Sequence, residues 1–559
     1  MASNRHLRLK REAPEAIMRT VPLVLGLDLG TSRAKGALYD LRGNPFEAIA
    51  SAGAPGAGSC SASYPTSTSP GGAAEQDPEQ WWQATRSVIG SLASVASVAG
   101  GRVCAIGLSS QIGNQVMIGS DGSLLAPSPI WSDTRAWPEV DRLYGCFSQA
   151  ELDELLGMHL PPGPNWPAAR LAWFRRSFPA IADRTRMVLQ AKDFLGWRLT
   201  GELATDASSW RGLVCQPSGE IPAELLGFAG FSADQIPSRL DPWARLGEVI
   251  DSEAEALGLD GGIPVAVGWN DLNCGVLGMG IGTGAVFDLT GTSDHLGCLV
   301  REPIRPETTL LDGPYLPGTR LLYGVTAASG GCLSWISRVL TMESATPGDP
   351  ERVSHTNTYP YPGAGGEATL VALAGGVPPG AAGLMFLPYL AGERTPLWDP
   401  LARGAFLGLS LHHGPAEMTR AVLEGVAYSL ATILHILERS HPLGSEQVHA
   451  AGGGTRSAVW NSLKADVLGV PYAVAGTPEV GCLGAAKLAI RMLGLPWEDI
   501  APPFEVLEPD REHHEIYEDL LGLFANAWPS VSTVIHSLGA LQRRAGGWGN
   551  REDIDWSPA

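Results

Sequence analysis

Two aspartates at the ends of apolar runs stand beside residues that could hold an anion. After the apolar residues 21–27 the chain reads Asp28-Leu29-Gly30-Thr31-Ser32, and after Ala285-Val286-Phe287 it reads Asp288-Leu289-Thr290-Gly291-Thr292-Ser293. Each stretch reads as a buried strand ending in a tight Gly-Thr-Ser turn. Glycine lets a backbone approach closely and takes positive φ without strain. The neighbouring N–H groups and hydroxyls can then face phosphate oxygens. One such triplet is most often an ordinary hairpin turn. Two of them, half a chain apart, point to a duplicated domain with a nucleotide's phosphate chain between the halves.

A carboxylate beside a phosphate turn repels phosphate unless a cation intervenes. Asp28 is therefore a candidate to hold Mg²⁺, which favours oxygen ligands and keeps several waters. Its other reading is a turn aspartate bonding its own backbone. Lys35 lies across the hairpin, within reach of the same phosphates. Asp271 follows the apolar stretch 264–268 and Trp269-Asn270, and precedes a glycine-rich segment. A hydroxyl attacking phosphorus needs a positioned proton acceptor, and a carboxylate does that work. The competing reading of Asp271 is a helix cap. Gly452-Gly453-Gly454 would let a flat base lie on bare backbone, or would be a plain strand-to-helix turn.

The elements that must position these residues alternate between strand and helix. Residues 34–39 continue the first strand as a hairpin partner, and residues 50–74, rich in Gly, Ala, Ser and Pro, read as a loop. Trp81, Val88, Leu92 and Val95 mark one helical face starting near Asp77-Pro78. Residues 103–108 are a buried strand leading into Gln111-Ile112-Gly113-Asn114. A helix from Pro415 carries Leu423, Val426, Leu430, Ile433 and Leu437 as a core stripe. The pattern is α/β, twice, with a cleft between two lobes. The expected divisions are a basic leader over residues 1–20, a first domain over 21–268, a second over 269–535, and a peripheral tail over 536–559.

The chain has 559 residues, 44% hydrophobic and 17% charged, with a net charge of −19. That composition means a large core, and the charge argues against nucleic acid or an anionic membrane as partner. Eight cysteines without a C-x-x-C pair read as buried, reduced thiols in a cytoplasmic protein. The leader lacks the apolar core of a signal peptide, and no apolar run approaches the length of a membrane span.

Taken together, several motifs resemble the FGGY carbohydrate kinases. In the N-terminal half these are Asp28-Leu29-Gly30-Thr31-Ser32 with Lys35, Glu75-Gln76-Asp77-Pro78-Glu79-Gln80-Trp81-Trp82, Ile130-Trp131-Ser132-Asp133-Thr134-Arg135 and Lys192-Asp193. In the C-terminal half they are the run from Phe386 to Pro396, which contains Gly392-Glu393-Arg394-Thr395, and Gly404-Ala405-Phe406-Leu407-Gly408-Leu409 followed by Glu417-Met418 and Ala421-Val422-Leu423-Glu424. The resemblance runs in order over roughly residues 21–490 and is strongest to the xylulokinase branch. It implies two RNase-H-like lobes of the actin/hexokinase/Hsp70 type, with ATP and a sugar meeting in the cleft. It implies transfer of the ATP γ-phosphate to a sugar hydroxyl with Asp271 as catalytic base and Asp28 associated with Mg²⁺. Gly30, Thr31, Ser32 and Lys35 match the first phosphate loop, Gly291 and Thr292 the second. Gly330 and Ser334 match positions near the nucleotide, and Gly453, Gly454 and Ser457 the adenosine pocket. A homodimer is frequent in the family, although no segment here declares an interface.

At the acceptor end, Gln111, Ile112, Gly113, Asn114, Trp131, Asp133, Asn165 and Leu272 are the expected sugar neighbours. Here the chain departs from its relatives. Xylulokinases typically carry Gln-Met-His-Gly where this chain has Gln111-Ile112-Gly113-Asn114, so a histidine contact to the sugar is replaced by no side chain, with Asn114 as a substitute amide. Leu272 stands where an asparagine is usual, Asp294 where a glycine is, and Arg170 where the N-terminal signature has lysine. Asn165 stands where that signature prefers Gly, Ser or an aromatic residue. These changes leave the acceptor open among ketopentose, tetrulose, hexulose and polyol. A non-kinase of the same fold, an ATP-switched binding protein, is the competing class.

Overall fold

The computed structural model describes residues 20–46, 58–69, 71–301, 309–340 and 364–544. Of the expected leader over 1–20, residues 1–19 lie outside them. β1 (Val21–Leu29), β2 (Arg33–Asp40) and β3 (Ser59–Ser63) form an antiparallel meander. α1 (Pro78–Val98) follows, with the Asp77 carboxylate accepting the Glu79 N–H and proline in its first turn. Trp81, Val88 and Leu92 are buried on its inner face. β4 (Gly101–Ser110) then runs parallel to β1, and β5 (Pro264–Ala266) parallel to β4. The sheet order is thus β5-β4-β1-β2-β3, with one further edge strand, Arg245–Glu248, beside β5.

After α2 (Asp271–Met279) the same plan repeats. β6 (Val286–Thr290), β7 (His295–Val300) and β8 (Arg320–Val325) form a second antiparallel meander. α3 (Gly330–Leu340) and α4 (Pro415–Ser440) lead on to β9 (Val448–Gly452), which is parallel to β6. α5 (Ala458–Leu468) connects it to β10 (Tyr472–Ala475), parallel to β9. The second sheet therefore has the order β10-β9-β6-β7-β8, strand for strand the order of the first. Two RNase-H-like sheets in one chain are the α/β duplication expected from the twin loops.

The stripe on α4 is fully buried at Leu423, Val426, Leu430, Ile433 and Leu437. Among the described residues this helix alone is long and apolar enough to cross a membrane, contrary to the expectation that no run would be. It lies inside the second lobe, with 78% of its most apolar window buried. Apolar residues all round a helix mean a protein core as readily as a bilayer.

Three further expectations change. Residues 50–74 are not all loop: β3 falls there, with short strands at Ser67–Ser69 and Ala73–Gln76. Their small side chains carry little strand propensity, and β3 forms because β2 offers it an open edge. Of the eight cysteines, none is paired; Cys274, Cys298, Cys332 and Cys482 are buried, while Cys146 is exposed. Finally, α7 (Arg511–Arg544) runs unbroken through residue 535, where a peripheral tail was expected to begin. The rest of that tail lies outside the described residues.

What joins the two sheets is a seam of glycines. α6 (Val480–Met492) comes from the second half of the chain but packs on β1 and β4 of the first sheet. Gly26 and Gly107 make room for it: a Cβ on Gly26 would lie 1.9 Å from the Cys482 carbonyl oxygen, and one on Gly107 1.8 Å from that of Ala485. α2 packs against α6 in the same way. A Cβ on Gly278 would lie 1.9 Å from the Val480 oxygen, and one on Gly484 1.8 Å from that of Cys274. These neighbours are backbone atoms, so relief requires moving whole helices.

We expect Gly278→Ala and Gly484→Ala each to destabilise the protein by about 1–3 kcal/mol or more, the usual range for overpacking a filled core. Gly90→Ala, inside α1 with nothing nearer than 4.0 Å, should be neutral or stabilising, since alanine favours helix. Urea denaturation of the three variants checks this.

Candidate active site

Strand register brings the two aspartates together. Asp28 on β1 is opposite Ser109 on β4, and Trp269 and Asn270 pair with Ser109 and Ser110 on the other side of β4. Asp28 and Asp271 therefore stand at the same ends of strands flanking β4. The Ser109 hydroxyl donates to Asp28 Oδ1 at 2.8 Å. Asn270, not Asp271, caps α2: its side chain accepts the Asn273 N–H at 3.0 Å. That leaves Asp271 as the first helical residue, with Oδ1 accepting the Leu272 N–H at 2.8 Å. Both carboxylates are half-buried, each keeping a face accessible. Burial pushes the Asp271 carboxyl up to about 7, and the Asp28 charge pushes the same way. Burial also raises Asp28, against the opposing pull of Lys35 and the Ser109 hydroxyl.

The first loop is braced through its carbonyl groups. Tyr64 Oη donates to the Gly30 carbonyl oxygen, Gln76 Nε2 donates to that of Thr31 at 2.6 Å, and the Tyr64 N–H donates to that of Ser32 at 3.3 Å. Trp131 Nε1 donates to Thr31 Oγ1 at 3.0 Å. An anion reaching this turn meets backbone whose repelling oxygens are already engaged. Lys35, opposite Asp28 in the β1–β2 register, also has a carboxylate partner: its Nζ lies 3.0 Å from Glu479 Oε2. Burial pulls its ammonium down, but Asp28 and Glu479 outweigh that and hold it raised.

The second loop is braced similarly. The Gly330 N–H donates to the Gly291 oxygen at 3.1 Å, and the Ser329 and Gly331 N–H groups donate to the Thr292 oxygen at 2.8 and 3.1 Å. The Gly291 N–H itself donates to Asp294 Oδ1 at 3.1 Å. Beneath lies a buried network that sequence reasoning missed. Lys464 Nζ sits 2.9 Å from Asp288 Oδ2 and 2.8 Å from Asp294 Oδ2, with Tyr472 Oη 2.5 Å from Asp288 Oδ2. Its signal was a lysine on the apolar face of α5, beside Trp460, Leu463 and Val467. Neither turn glycine has positive φ, so that reason for Gly30 and Gly291 fails. The close approach is at Gly330, where a Cβ would meet the Gly291 oxygen at 2.6 Å.

Because Thr290 pairs with Gly452 in parallel register, the glycine triplet lies beside the second loop. Gly452 has φ +106, and a Cβ there would strike the Thr290 oxygen at 2.1 Å. A Cβ on Gly454 would be 3.0 Å from the Thr290 side chain, whereas Gly453 faces open space. Ser457 caps α5, accepting the Trp460 N–H. Ser334 is turned elsewhere, donating to Glu367 Oε1 at 2.7 Å.

Among the residues expected near the sugar, Gly113 has φ +81 and packs under Asn165 and Trp131. A Cβ there would lie 3.2 Å from Asn165 Cβ, so the missing side chain is matched by a neighbour filling its space. Ile112 is half-exposed beside it. Asn114 is fully buried, and neither of its amide atoms has a partner. Three expected sugar neighbours already have partners within the protein. Asp133 is fully buried and accepts from the Ala74 N–H and from Arg135, so its carboxylate holds a loop. Gln111 is buried and donates to Gln76 Oε1 at 3.0 Å. Leu272 is buried in the core cluster that includes Trp269 and Val276.

Arg211, Tyr323, His295 and Arg394 were assigned no role from sequence. Arg211 Nε donates to the Ser208 oxygen at 3.1 Å, and its NH1 donates to Tyr323 Oη across the lobes. The Arg394 guanidinium lies 5.1 Å from the Trp131 ring centre. His295 is held neutral, its pKa near 3, by burial first and then by the charges of Arg394 and Arg211.

Twin Gly-Thr-Ser loops on duplicated RNase-H-like lobes, with a desolvated carboxylate between them, are the architecture of the two-lobed carbohydrate kinases. The N-terminal domain of the FGGY family of carbohydrate kinases matches residues 23–278, and its C-terminal domain matches residues 289–493. The chain is 30% identical over 532 residues to a xylulose kinase of Escherichia coli (strain K12), covering 90% of this chain and 100% of the relative. It is 28% identical over 477 residues to a gluconokinase of Bacillus subtilis (strain 168), covering 84% and 88%. The crystal structure of a ligand-bound xylulose kinase from Lactobacillus acidophilus superposes with a TM-score of 0.77 at 25% identity, covering 92% of this chain and all of that one. The chain belongs to the FGGY family of carbohydrate kinases and is a sugar phosphotransferase; kinases of this family take their phosphate from ATP.

A carboxyl raised in the native protein contributes stability while protonated. That contribution is whole below the ordinary carboxylate pKa, about 4, and is lost as pH rises through the folded value. For Asp271 that loss runs up to about 7. Asp271→Asn removes the buried charge, so its melting temperature should exceed the wild type's at pH 8. The gap should close as pH falls toward about 4. A gap independent of pH in thermal unfolding would contradict the raised carboxyl.

Proposed function

We propose that the enzyme transfers the γ-phosphoryl group of ATP to a hydroxyl of a ketopentose-type sugar, with Asp271 as general base. The observation that carries this is a half-buried carboxyl raised to about 7, at the start of α2, beside the braced first loop. A base titrating near neutral pH is ionised enough to accept a proton and basic enough to want it. The acceptor oxygen forms the new bond to the γ-phosphorus, the bond from that phosphorus to the β-phosphate oxygen breaks, and Asp271 takes the hydroxyl proton. ADP leaves with the negative charge. The N–H groups and hydroxyls of both loops spread charge on the phosphates, and closure of the lobes keeps water from competing.

Asp28 fits Mg²⁺. Ser109 occupies Oδ1, while the other side abuts Gly481, where a Cβ would lie 2.9 Å from Oδ2. Mg²⁺ typically takes one or two carboxylates together with phosphates and water, and no cluster of three ligating side chains occurs among the described residues. When bound, Mg²⁺ supplies neutralising charge between the phosphates. Unpaired thiols accord with a cytoplasmic setting.

The names of the similar proteins favour D-xylulose as acceptor. A second reading keeps the chemistry and changes the sugar, and the Gly113–Asn165 packing favours it: the space of a polar side chain toward the sugar is filled by another residue. Rejection of analogues depends on such paired hydroxyls. The gluconokinase likeness points the same way.

Two measurements test the proposal. The acid limb of kcat/KM against pH should bend near 7, with rate falling as the base is protonated, and Asp271→Asn should lose about 10²–10⁴ in kcat; near-wild-type turnover by a folded variant rejects the base. A panel of D-xylulose, a tetrulose, a hexulose, a polyol and gluconate decides the acceptor. The highest kcat/KM with D-xylulose rejects the second reading, and any other order rejects the first.

A further inference from the structure

Two guanidinium groups near Asp271 make no ion pair among the described residues; the Glu393 carboxylate beside Arg394 accepts the Ala327 and Arg394 backbone N–H groups instead, both at 2.7 Å. Arg211 follows the 3₁₀ turn Ser208–Trp210 of the first lobe. That turn is fastened to the strand end that precedes Asp271: Ser208 Oγ accepts from Trp269 Nε1 at 2.7 Å and from Asn270 Nδ2 at 3.0 Å. Arg211 is itself buried, held by the Ser208 oxygen and by Tyr323 Oη of β8. Arg394 arrives from the second lobe. Its NH2 donates to the Thr326 oxygen at 2.6 Å, its face lies on Trp131, and its buried Nε has no partner. Burial pulls the Arg394 guanidinium down to about 10 against the opposing pull of Glu393 first and then of Tyr323 and Asp271, and the Arg211 charge works against the burial that raises Asp271.

A buried cation without a counter-charge is costly unless an anion arrives. In a chain of net charge −19, two such guanidinium groups that no carboxylate engages in an ion pair suit an anionic visitor. We propose that Arg211 and Arg394, one from each lobe, form an oxyanion subsite beside Asp271. Planar guanidinium matches phosphoryl and carboxylate oxygens alike. The oxyanion is either the phosphoryl group in flight or a carboxylate on the acceptor, as in an aldonate. The subsite rests on the kinase reading, since it needs the reaction to occur at Asp271.

The test is kinetic. Arg211→Met, Arg211→Lys and Tyr323→Phe are compared with wild type on the best neutral sugar and on the aldonate of equal chain length. Tyr323→Phe removes the bond between the lobes but keeps the guanidinium. Arg211→Met should lower kcat/KM by about 10², the usual loss for one charge-stabilising donor. Arg211→Lys should recover part of that, and Tyr323→Phe should stay within about threefold. An equal fall in kcat for both acceptors, at unchanged acceptor KM, assigns the subsite to the phosphoryl group. A fall confined to the aldonate and seen in KM assigns it to a carboxylate. Equal losses in Arg211→Met and Tyr323→Phe would mean Arg211 only ties the lobes together, and would overturn the proposal. So would wild-type kinetics in Arg211→Met. ATP-dependent thermal shift without sugar confirms that each variant is folded. If wild type phosphorylates nothing on the panel, it is the kinase reading that fails; turnover that is indifferent to Arg211 fails only the subsite.

Discussion

The backbone-to-backbone contact of α2 with α6 is the constraint on which the site depends. Gly278 and Gly484 let the two helices touch main chain to main chain, while Gly26 and Gly107 let α6 lie flat on the first sheet. Close-packed interiors transmit displacement because there is no void to absorb it. Asp271 begins α2, and Glu479, which holds Lys35, immediately precedes α6. The candidate base and the charged rim of the first Gly-Thr-Ser loop are thus set by one helix crossing.

The protein meets an anionic nucleotide with a strongly acidic chain. It does so locally. Carbonyl oxygens of both loops are occupied by donors from Tyr64, Gln76, Ser329, Gly330 and Gly331, and Lys464 neutralises two buried aspartates below the second loop. At the short distances inside a low-dielectric cleft such neighbours outweigh the net charge of the whole molecule, which acts mostly through screened long-range field. The same logic applies to Arg211 and Arg394, whose charges reach Asp271 without a surface patch of basic residues.

Much of this was legible in the chain. Alternation of apolar runs with helical stripes implied a duplicated α/β plan, and the buried stripe of α4 followed directly from spacing of three and four. Asp28, Asp271 and the two Gly-Thr-Ser turns were visible because strand ends and turns are local features. Less visible was the role of each neighbour. Asp133 and Gln111 stand in stretches expected near a sugar, and the sequence did not show that they also brace loops, because Ala74 and Gln76, which bond them, lie 59 and 35 positions away. β3 went unseen because an edge strand made of serine and alanine depends on its partner rather than on its own propensity.

By itself the sequence determined the periodicities, the turn chemistry and the identity of the acidic groups, all properties of residues within a few positions of one another. Tertiary structure alone decided that Asp28 and Asp271 flank one strand, that Asp271 rather than Asn270 is left free of capping, and that Lys464 and Glu479 hold the loops. It also decided that Gly113 has its space filled by Asn165 and that Arg211 meets Tyr323 from the other lobe. Those outcomes depend on burial and register between segments far apart in the chain. The raised carboxyl of Asp271 is the clearest case: no local motif raises a carboxyl to about 7. Desolvation does, and desolvation exists only once segments far apart in the chain have folded around it.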